Sequence, residues 1–293
     1  MKKNRYYIVD VFAIQKYAGN QLAVVLMSEN IGDDEMRKIA DEFHFSETAF
    51  ITSTEKRDGG YDVRIFTPRE EVPFAGHPTL GTAYIIRNEI EKNPGDTINL
   101  NLKAGRIPVS FESGGSNILW MKQINPVFGE TFDAKRAAGI IGLDEGDVDE
   151  RFPVQEVSTG LPFIIIPLKN LKAVKKACTV REAQIGFFKG RTPLPVFFFS
   201  PETYSRKNDL NARMFAEFIG IPEDPATGSA CGCLAGYLVK YKYFGGNAID
   251  ILVEQGYEIG RESILHLRAK ETSDGIDVRV GGEVFKVAEG VLW

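Results

Sequence analysis

The chain has 293 residues, of which 43% are hydrophobic and 26% charged, and its formal net charge is −5. This balance is typical of an ordinary globular protein, and the length favours two domains over one. Lysines and arginines lie singly among acids, so the sequence offers no basic stripe that could bind a nucleic acid.

Two features of the sequence bear on its location. The first residues lead into YYIVDVF without the apolar stretch of a signal peptide, and no run reaches the ~20 apolar residues of a membrane span. The three cysteines, Cys178, Cys231 and Cys233, have no disulfide-framework spacing. We therefore expect a cytoplasmic protein with no membrane partner.

The first predicted elements are two strands and a helix. Apolar runs at 6–12 and 22–27, separated by the turn AGNQ, predict two strands at the edge of a sheet. From Asp33, the expected N-cap, apolar residues follow with the spacing of one helical face. The pattern then alternates over 43–52 and again over 61–67, which predicts two further strands.

The next predicted helix, LGTAYIIRN, is apolar almost all round and is expected to be buried. In the second half, IIIPL, VFFFS, ILHLRA and IDVRV predict strands and SACGCLAGYLVK predicts a helix.

Residues 72–86 align with 224–238, since each has a loop with proline and glycine, a polar residue and a helix with small residues. The alignment places Pro73 on Pro225, Gly76 on Gly228, His77 on Ser229 and Ala83 on Ala235. Two related halves would follow.

Glu47 is the first candidate for chemistry. The predicted strand places it on the same face as Phe45, Ala49 and Ile51. Desolvation raises the pKa of such a carboxyl toward the working range of a general acid/base. Strand position alone leaves open a structural role, with Glu47 paired to a nearby arginine such as Arg64.

The two predicted helix starts supply the other candidates. Pro78 fits the first turn of its helix and leaves Gly76 and His77 at an N-terminus whose N–H groups can bind a carboxylate. His77 could instead be a simple helix cap. Two such starts would form one clamp if the two halves faced each other across a cleft.

In DPATGSA, Asp224 precedes a proline and is expected to be extended, and Gly228 and Ser229 open the second helix. The Ser229 hydroxyl could contact a ligand, and capping alone is the alternative.

Several kinds of site are not indicated. No glycine-rich loop ends in GK[ST], and no GxGxxG follows a strand and opens a helix, so we expect no nucleotide cofactor. Cys231 and Cys233 stand two apart in a predicted helix and therefore point to different sides, while the three histidines lack ligand spacing. We expect no metal.

Taken in order, the motifs resemble the PhzF-type phenazine-biosynthesis isomerases, within the wider diaminopimelate epimerase-like group. The resemblance runs nearly end to end. It rests on DVFA with AGNQLAVV near the start, FSETAF, IFTPREEVPFAGHPTLGTA, STGLPF, EDPATGSA and EQGYEIGRES. One departure is Gln21, where relatives often carry a proline; we expect it to affect the turn and not the site.

For the fold, the resemblance implies an α+β protein of two pseudo-symmetric domains, each a mostly antiparallel sheet wrapped around a central helix. We expect residues 1–118 to form the N-terminal half, which 279–293 could complete, and 119–278 to form the C-terminal half. The resemblance also implies an active site between the halves and a homodimer.

For the site, the resemblance implies that Glu47 is the acid/base and that no cofactor or metal takes part. Related epimerases carry a cysteine at each of the two helix starts, where this chain has His77 and Ser229. The missing thiols argue against two-base racemisation and suit a proton shift by Glu47. The residues expected to contact substrate are Gly76, His77, Asp224, Gly228 and Ser229.

The function that the resemblance implies is that of a cofactor-independent isomerase that moves a proton on a small carboxylate substrate, like trans-2,3-dihydro-3-hydroxyanthranilate isomerase. Two alternatives remain open. One is an amino-acid epimerase or racemase on the same scaffold, and the other is a small-molecule-binding protein without catalysis.

Overall fold

The structure is a computed structural model that describes residues 3–29, 31–114 and 117–293. Across these ranges the chain forms few helices and many strands. The α-helices are α1 (Asp33–Phe43), α2 (Gly76–Ile85), α3 (Ala134–Ile140), α4 (Leu171–Lys176), α5 (Arg181–Phe187) and α6 (Gly228–Lys240). A π-helical turn, Ile86–Ile90, continues α2.

The strands of the first part of the chain are β1 (Asn4–Val11), β2 (Asn20–Leu26), β3 (Thr48–Ile51), β4 (Tyr61–Phe66), β5 (Glu71–Val72), β6 (Thr97–Leu102), β7 (Gly105–Phe111) and β8 (Ile118–Lys122). Those of the remainder are β9 (Val127–Phe132), β10 (Val154–Ser158), β11 (Pro162–Pro167), β12 (Val196–Ser200), β13 (Leu210–Phe215), β14 (Ala248–Gln255), β15 (Ser263–Thr272) and β16 (Gly275–Leu292). A mixed α/β fold with few helices is confirmed.

The chain divides into two compact units. Unit 1 consists of Met1–Lys122 with Gly281–Trp293, and unit 2 consists of Gln123–Val280. Strand β16 therefore contributes its two ends to different units. That the units are pseudo-symmetric halves stays a prediction.

In unit 1 the strand order is β16–β1–β2–β3–β4–β6–β7–β8. The pairs β2/β3 and β4/β6 are parallel and the others antiparallel. Helix α2 packs against β1, β2, β3, β6, β7 and β8, and nearly all of its residues are buried, as its apolar sequence predicts. A Cβ added at Gly81 would lie 2.6 Å from Cδ2 of Leu22, so the missing side chain allows this close approach.

In unit 2 the strand order is β9–β10–β11–β12–β13–β14–β15–β16, with β11/β12 and β13/β14 parallel. Helix α6 is buried and packs against β10, β11, β14 and β15. Strand β12 is covered on both faces: Phe199 contacts Tyr237 of α6, while Phe198 belongs to a core cluster with residues of α3, α4 and α5. Burial on both faces explains the continuous apolar run VFFFS.

The structure corrects three expectations for the first elements. Strand β1 is not at an edge, because it pairs with β2 on one side and with β16 on the other. Helix α1 begins at Asp33, but its N-cap is Gly32, and the Asp33 carboxylate instead accepts a hydrogen bond from Arg64. The alternating strand predicted over 43–52 begins only at Thr48, because His44 adopts a left-handed conformation (φ 55°) that ends α1.

No helix within residues 3–29, 31–114 and 117–293 is both long and apolar enough to cross a membrane.

Candidate active site

Glu47 lies directly before β3 and not within it. Strand alternation therefore does not assign its side chain to the same face as Ala49 and Ile51, as the sequence analysis expected. Its side chain is nevertheless only 17% exposed. The guanidinium of Arg64 binds Glu71 at 2.9 Å and Asp33 at 2.7 Å, so the arginine considered as a partner for Glu47 is engaged elsewhere.

The start of α2 is arranged as the sequence predicts. The helix begins at Gly76, its N-cap is Ala75, and its first turn carries no acid. The amide of Thr79 donates to the Ala75 carbonyl, so the N–H groups of Gly76 and His77 precede the first helical hydrogen bond. His77 is the second helical residue, and its alternative role as the N-cap is wrong. This N-terminus can attract an anion.

Glu47 and His77 are brought together. Oε2 of Glu47 lies 3.6 Å from Nε2 of His77, which is longer than a hydrogen bond. Both side chains are largely buried, with His77 only 6% exposed. Among the residues that the structure describes, Nε2 of His77 has no hydrogen-bond partner. A hydrogen-bond donor that lies to one side of the two atoms, about 2.8 Å from each, could contact both.

The imidazole of His77 is neutral at physiological pH. Burial lowers its pKa to about 3, and a hydrogen bond with the Gln21 backbone opposes this only in part. Because Nε2 has no partner, that bond uses Nδ1, which donates to the Gln21 carbonyl; Nε2 then carries a lone pair and can only accept. The contact is made by the backbone carbonyl of Gln21, which a proline would also offer, so the expectation that this departure affects the turn and not the site stays a prediction.

In unit 2, α6 begins at Gly228, the residue aligned with Gly76. Its N-cap is Thr227, no side chain caps it, and the first turn carries no acid. Ser229 is the buried second residue of the helix, so a capping role for its hydroxyl is wrong. The two helix starts thus share one local design: a glycine, a buried polar residue and N–H groups without a side-chain cap.

Asp224 is held beside the start of α6 by two residues that the sequence analysis did not single out. The Thr227 hydroxyl donates to Oδ2 of Asp224, and the Gln255 side chain binds Thr227 and the Asp224 backbone. Gln255 is fully buried at the end of β14. Thr227 lies within EDPATGSA and Gln255 within EQGYEIGRES. The sequence could have indicated Gln255, because it is a polar residue before a glycine at the end of an apolar strand.

The cysteines near this helix start are buried thiols. Burial raises the pKa of Cys231 and raises that of Cys233 to about 12, so neither is a thiolate near neutral pH. No group of three or more His, Cys, Asp or Glu side chains suited to a metal ion occurs within the described ranges.

The candidate residues thus fall into two sets. Unit 1 brings together Glu47, His77 and Gly76, and unit 2 brings together Asp224 and the start of α6 with Gly228 and Ser229. The first set can move a proton, because it contains a carboxyl group beside a neutral imidazole and a helix N-terminus.

Comparison with known proteins identifies the family. The model of the PhzC-PhzF family, described as phenazine biosynthesis-like protein, matches residues 9–290. This chain belongs to that family.

Two curated relatives and one solved structure illustrate the likeness. The uncharacterized isomerase YfhB of Bacillus subtilis is 31% identical and is matched over 96% of each chain. The trans-2,3-dihydro-3-hydroxyanthranilate isomerase of Pseudomonas aeruginosa is 30% identical over 98% of each chain. The crystal structure of a phenazine biosynthesis protein of the PhzF family from Bacillus anthracis is 26% identical over 100% of each chain, with a TM-score of 0.91.

Proposed function

We propose that this isomerase of the PhzC-PhzF family moves a proton between carbon atoms of a small carboxylate substrate, with Glu47 as the general acid/base and trans-2,3-dihydro-3-hydroxyanthranilate as the reference substrate. The observation that carries the proposal is the approach of Oε2 of Glu47 to Nε2 of His77, 3.6 Å apart, at the start of a buried helix. The relative of that name from Pseudomonas aeruginosa supports the choice of substrate.

The role of Glu47 follows from its chemistry and its place. A proton on carbon is removed by a base in direct contact with it, and a carboxylate that is mostly shielded from water is a stronger base than one in solution. Glu47 is 17% exposed, which leaves room for contact with a small ligand. After taking the proton, the partly exposed carboxyl group exchanges it with water and then delivers a proton to a second carbon on the same face of the substrate. No net charge or atom is gained or lost.

His77 has a different part because it stays neutral. With Nδ1–H donating to Gln21, Nε2 can accept but not donate, and no positive charge on the ring competes with the substrate for Glu47. The group that best bridges Nε2 of His77 and the Glu47 carboxylate is a hydrogen-bond donor, such as a hydroxyl or amino group of the substrate, beside the two atoms. His77 thereby orients the substrate without itself moving the proton.

The substrate carboxylate is proposed to bind the N–H groups of Gly76 and His77. These groups precede the first helical hydrogen bond of α2, and no acid in that turn neutralises them. Negative charge that develops when the carbon loses its proton is stabilised by the same dipoles. On the family resemblance, we also propose that Asp224, Gly228 and Ser229 contact the substrate, and that the enzyme acts without a cofactor as a cytoplasmic homodimer.

The test is turnover of trans-2,3-dihydro-3-hydroxyanthranilate in deuterated water by wild type, Glu47→Gln and the control Glu42→Gln. Glu42 is an exposed residue of α1 with the same side chain. We expect wild type and Glu42→Gln to place deuterium at one carbon of the product, and Glu47→Gln to lose about 10²- to 10⁴-fold in kcat.

Equal exchange by Glu47→Gln and wild type would remove Glu47 from the acid/base role. Deuterium incorporation with loss of optical purity on an amino acid would favour an epimerase, and binding without any exchange would favour a non-catalytic protein. Circular dichroism of each variant checks that the fold is retained.

A further inference from the structure

We propose that Gln255 is a positioning residue, which sets the orientation of the Asp224 carboxylate through the hydroxyl of Thr227. This inference rests on the proposed function, in which Asp224 contacts the substrate. The side chain of Gln255 is fully buried, and its amide makes three hydrogen bonds to Asp224 and Thr227 in the loop that precedes α6.

The orientation of the Gln255 amide is decided by backbone groups. Its Oε1 accepts from the N–H of Thr227 at 3.0 Å, and its Nε2 donates to the carbonyl of Asp224 at 2.8 Å. A backbone N–H can only donate and a carbonyl can only accept. In the reversed amide, the NH₂ group would face the N–H of Thr227 and the amide oxygen would face the carbonyl of Asp224, so neither hydrogen bond could form. The amide therefore has one allowed orientation.

That orientation fixes the direction of the next hydrogen bond. Nε2 of Gln255 lies 3.0 Å from Oγ1 of Thr227 and donates its second N–H to it. The hydroxyl proton of Thr227 is then available for a different acceptor, and Oδ2 of Asp224 is within hydrogen-bond distance. Gln255 thus determines that Thr227 donates to Asp224, which favours the ionised carboxylate and holds one of its oxygens.

The same side chain also holds the start of α6. Thr227 is the N-cap of this helix, and its N–H is bound by Gln255. Gly228 and Ser229 follow Thr227 in the helix and Asp224 is bound by its hydroxyl, so a shift of Thr227 would move all three substrate-binding candidates of unit 2. Glutamine suits the position because it accepts once and donates twice; Glu would lack both donors, and Leu would lack all three bonds.

Close backbone packing keeps this register. Gly256 has φ of +79°, and a Cβ added there would lie 2.6 Å from the carbonyl oxygen of Pro225 and 2.4 Å from that of Arg261. Only glycine fits such a position without displacing backbone. The end of β14 is therefore in direct contact with the loop that carries Asp224.

The test compares Thr227→Val, which keeps the shape and removes the hydroxyl, with Thr227→Ser, which restores the donor. Gln255→Glu removes the two amide donors, and Thr203→Val is the matched control, because its hydroxyl donates to Ser205 elsewhere in the same unit. With trans-2,3-dihydro-3-hydroxyanthranilate we expect kcat/KM to fall roughly 10- to 100-fold in Thr227→Val and Gln255→Glu. Thr227→Ser and Thr203→Val should stay within about threefold of wild type.

A second readout needs no substrate. In protein labelled with ¹³C at the aspartate carboxyl carbon, Asp224→Asn assigns the resonance, and a pH titration follows it. Loss of the Thr227 donor removes a hydrogen bond to the charged form, so the Asp224 midpoint should rise in Thr227→Val and not in Thr227→Ser or Thr203→Val. None of the substitutions changes the titratable and charged groups near Asp224. These are the Cys231 thiol on α6 and the ion pair of Arg213 with Glu223, whose atoms are 2.7 Å apart.

The two readouts separate this inference from the proposed function. If the wild type does not turn over the substrate but the Asp224 midpoint moves as expected, the substrate assignment fails and the positioning role stands. If Thr227→Val loses only thermal stability, with kcat/KM and the Asp224 titration unchanged, Gln255 and Thr227 are merely structural and the inference is overturned.

Discussion

At the scale of single residues, burial sets the protonation of His77 in the candidate site. His77 contributes no charge because its ring is shielded from water, while its Nδ1 is held by the Gln21 carbonyl. The pKa of about 3 makes this histidine a fixed hydrogen-bond acceptor over the whole physiological range. His77 can accept a hydrogen bond only while its imidazole stays neutral.

The buried, neutral His77 should make the protein less stable in mild acid. Its pKa is about 3 in the folded chain and about 6.5 in an unfolded chain, so below pH 6.5 the unfolded state binds a proton that the folded state does not. The free energy of unfolding should therefore fall by about 2 kcal/mol between pH 7 and pH 5 through this residue. His77→Asn should lack that part of the pH dependence.

The measurement is urea unfolding of both proteins at pH 7, 6 and 5, compared as the difference between wild type and His77→Asn. Other titrating groups cancel in the difference. Parallel curves for the two proteins would mean that His77 is readily protonated in the folded state, against a buried acceptor role.

At the scale of secondary structure elements, glycines decide how closely the central helices approach the strands. In α2, a Cβ at Gly81 would lie 2.6 Å from Leu22 and 3.0 Å from Val11. In α6, a Cβ at Gly236 would lie 2.6 Å from Pro126. Because the site residues stand at the first turns of these helices, the depth of each helix in its unit also sets the position of its N-terminus.

Gly81→Ala should destabilise unit 1 by about 1–3 kcal/mol, because the added methyl group would have to displace Leu22 and β-strand side chains in a close-packed core. The matched control is Gly139→Ala in α3, where an added Cβ meets nothing within 4 Å. That variant should be neutral or more stable by up to about 1 kcal/mol, since alanine favours the helix. Urea unfolding measures both, and similar effects of the two substitutions would contradict close packing at Gly81.

At the scale of the whole molecule, unit 1 is completed by the last part of the chain. Strand β16 pairs with β1 from Asn4 opposite Leu292 to Val11 opposite Val284, with a register shift between Ile8 and Val9. β1 in turn pairs with β2, whose parallel neighbour β3 follows Glu47. Residues nearly 290 positions apart in the sequence therefore support the site in unit 1.

Deletion of residues 284–293 should expose the backbone of β1, because it removes the strand to which β1 is hydrogen bonded on one side. We expect amide hydrogen exchange in Asn4–Val11 to lose its protection, while β11 and β12 of unit 2 keep theirs. Deletion of Trp293 alone is the control, because this side chain is 85% exposed and its ring makes a cation–π contact with Lys3. Unchanged protection of β1 in the longer deletion would show that the pairing contributes little.

Local patterns in the sequence were sufficient for much of the fold. The helical spacing after Asp33, the apolar helix after Pro78 and the apolar helix after Gly228 all correspond to helices in the structure. These predictions succeeded because burial of one face produces apolar residues at helical spacing, and burial of all faces produces a continuous apolar segment. The ordered motifs also sufficed for the family, which the family model confirms over residues 9–290.

What only the tertiary structure decided concerns contacts between distant residues. Strand β1 pairs with β16 as well as with β2, and Arg64 binds Asp33 and Glu71; no periodicity in the local sequence predicts the pairing with β16 or the partners of Arg64. The approach of Glu47 to His77 and the bonds from Gln255 to Thr227 likewise join segments about 30 residues apart. The sequence therefore determined which residues could carry the chemistry, whereas packing determined which of them meet, because hydrogen bonds and burial depend on distance in space.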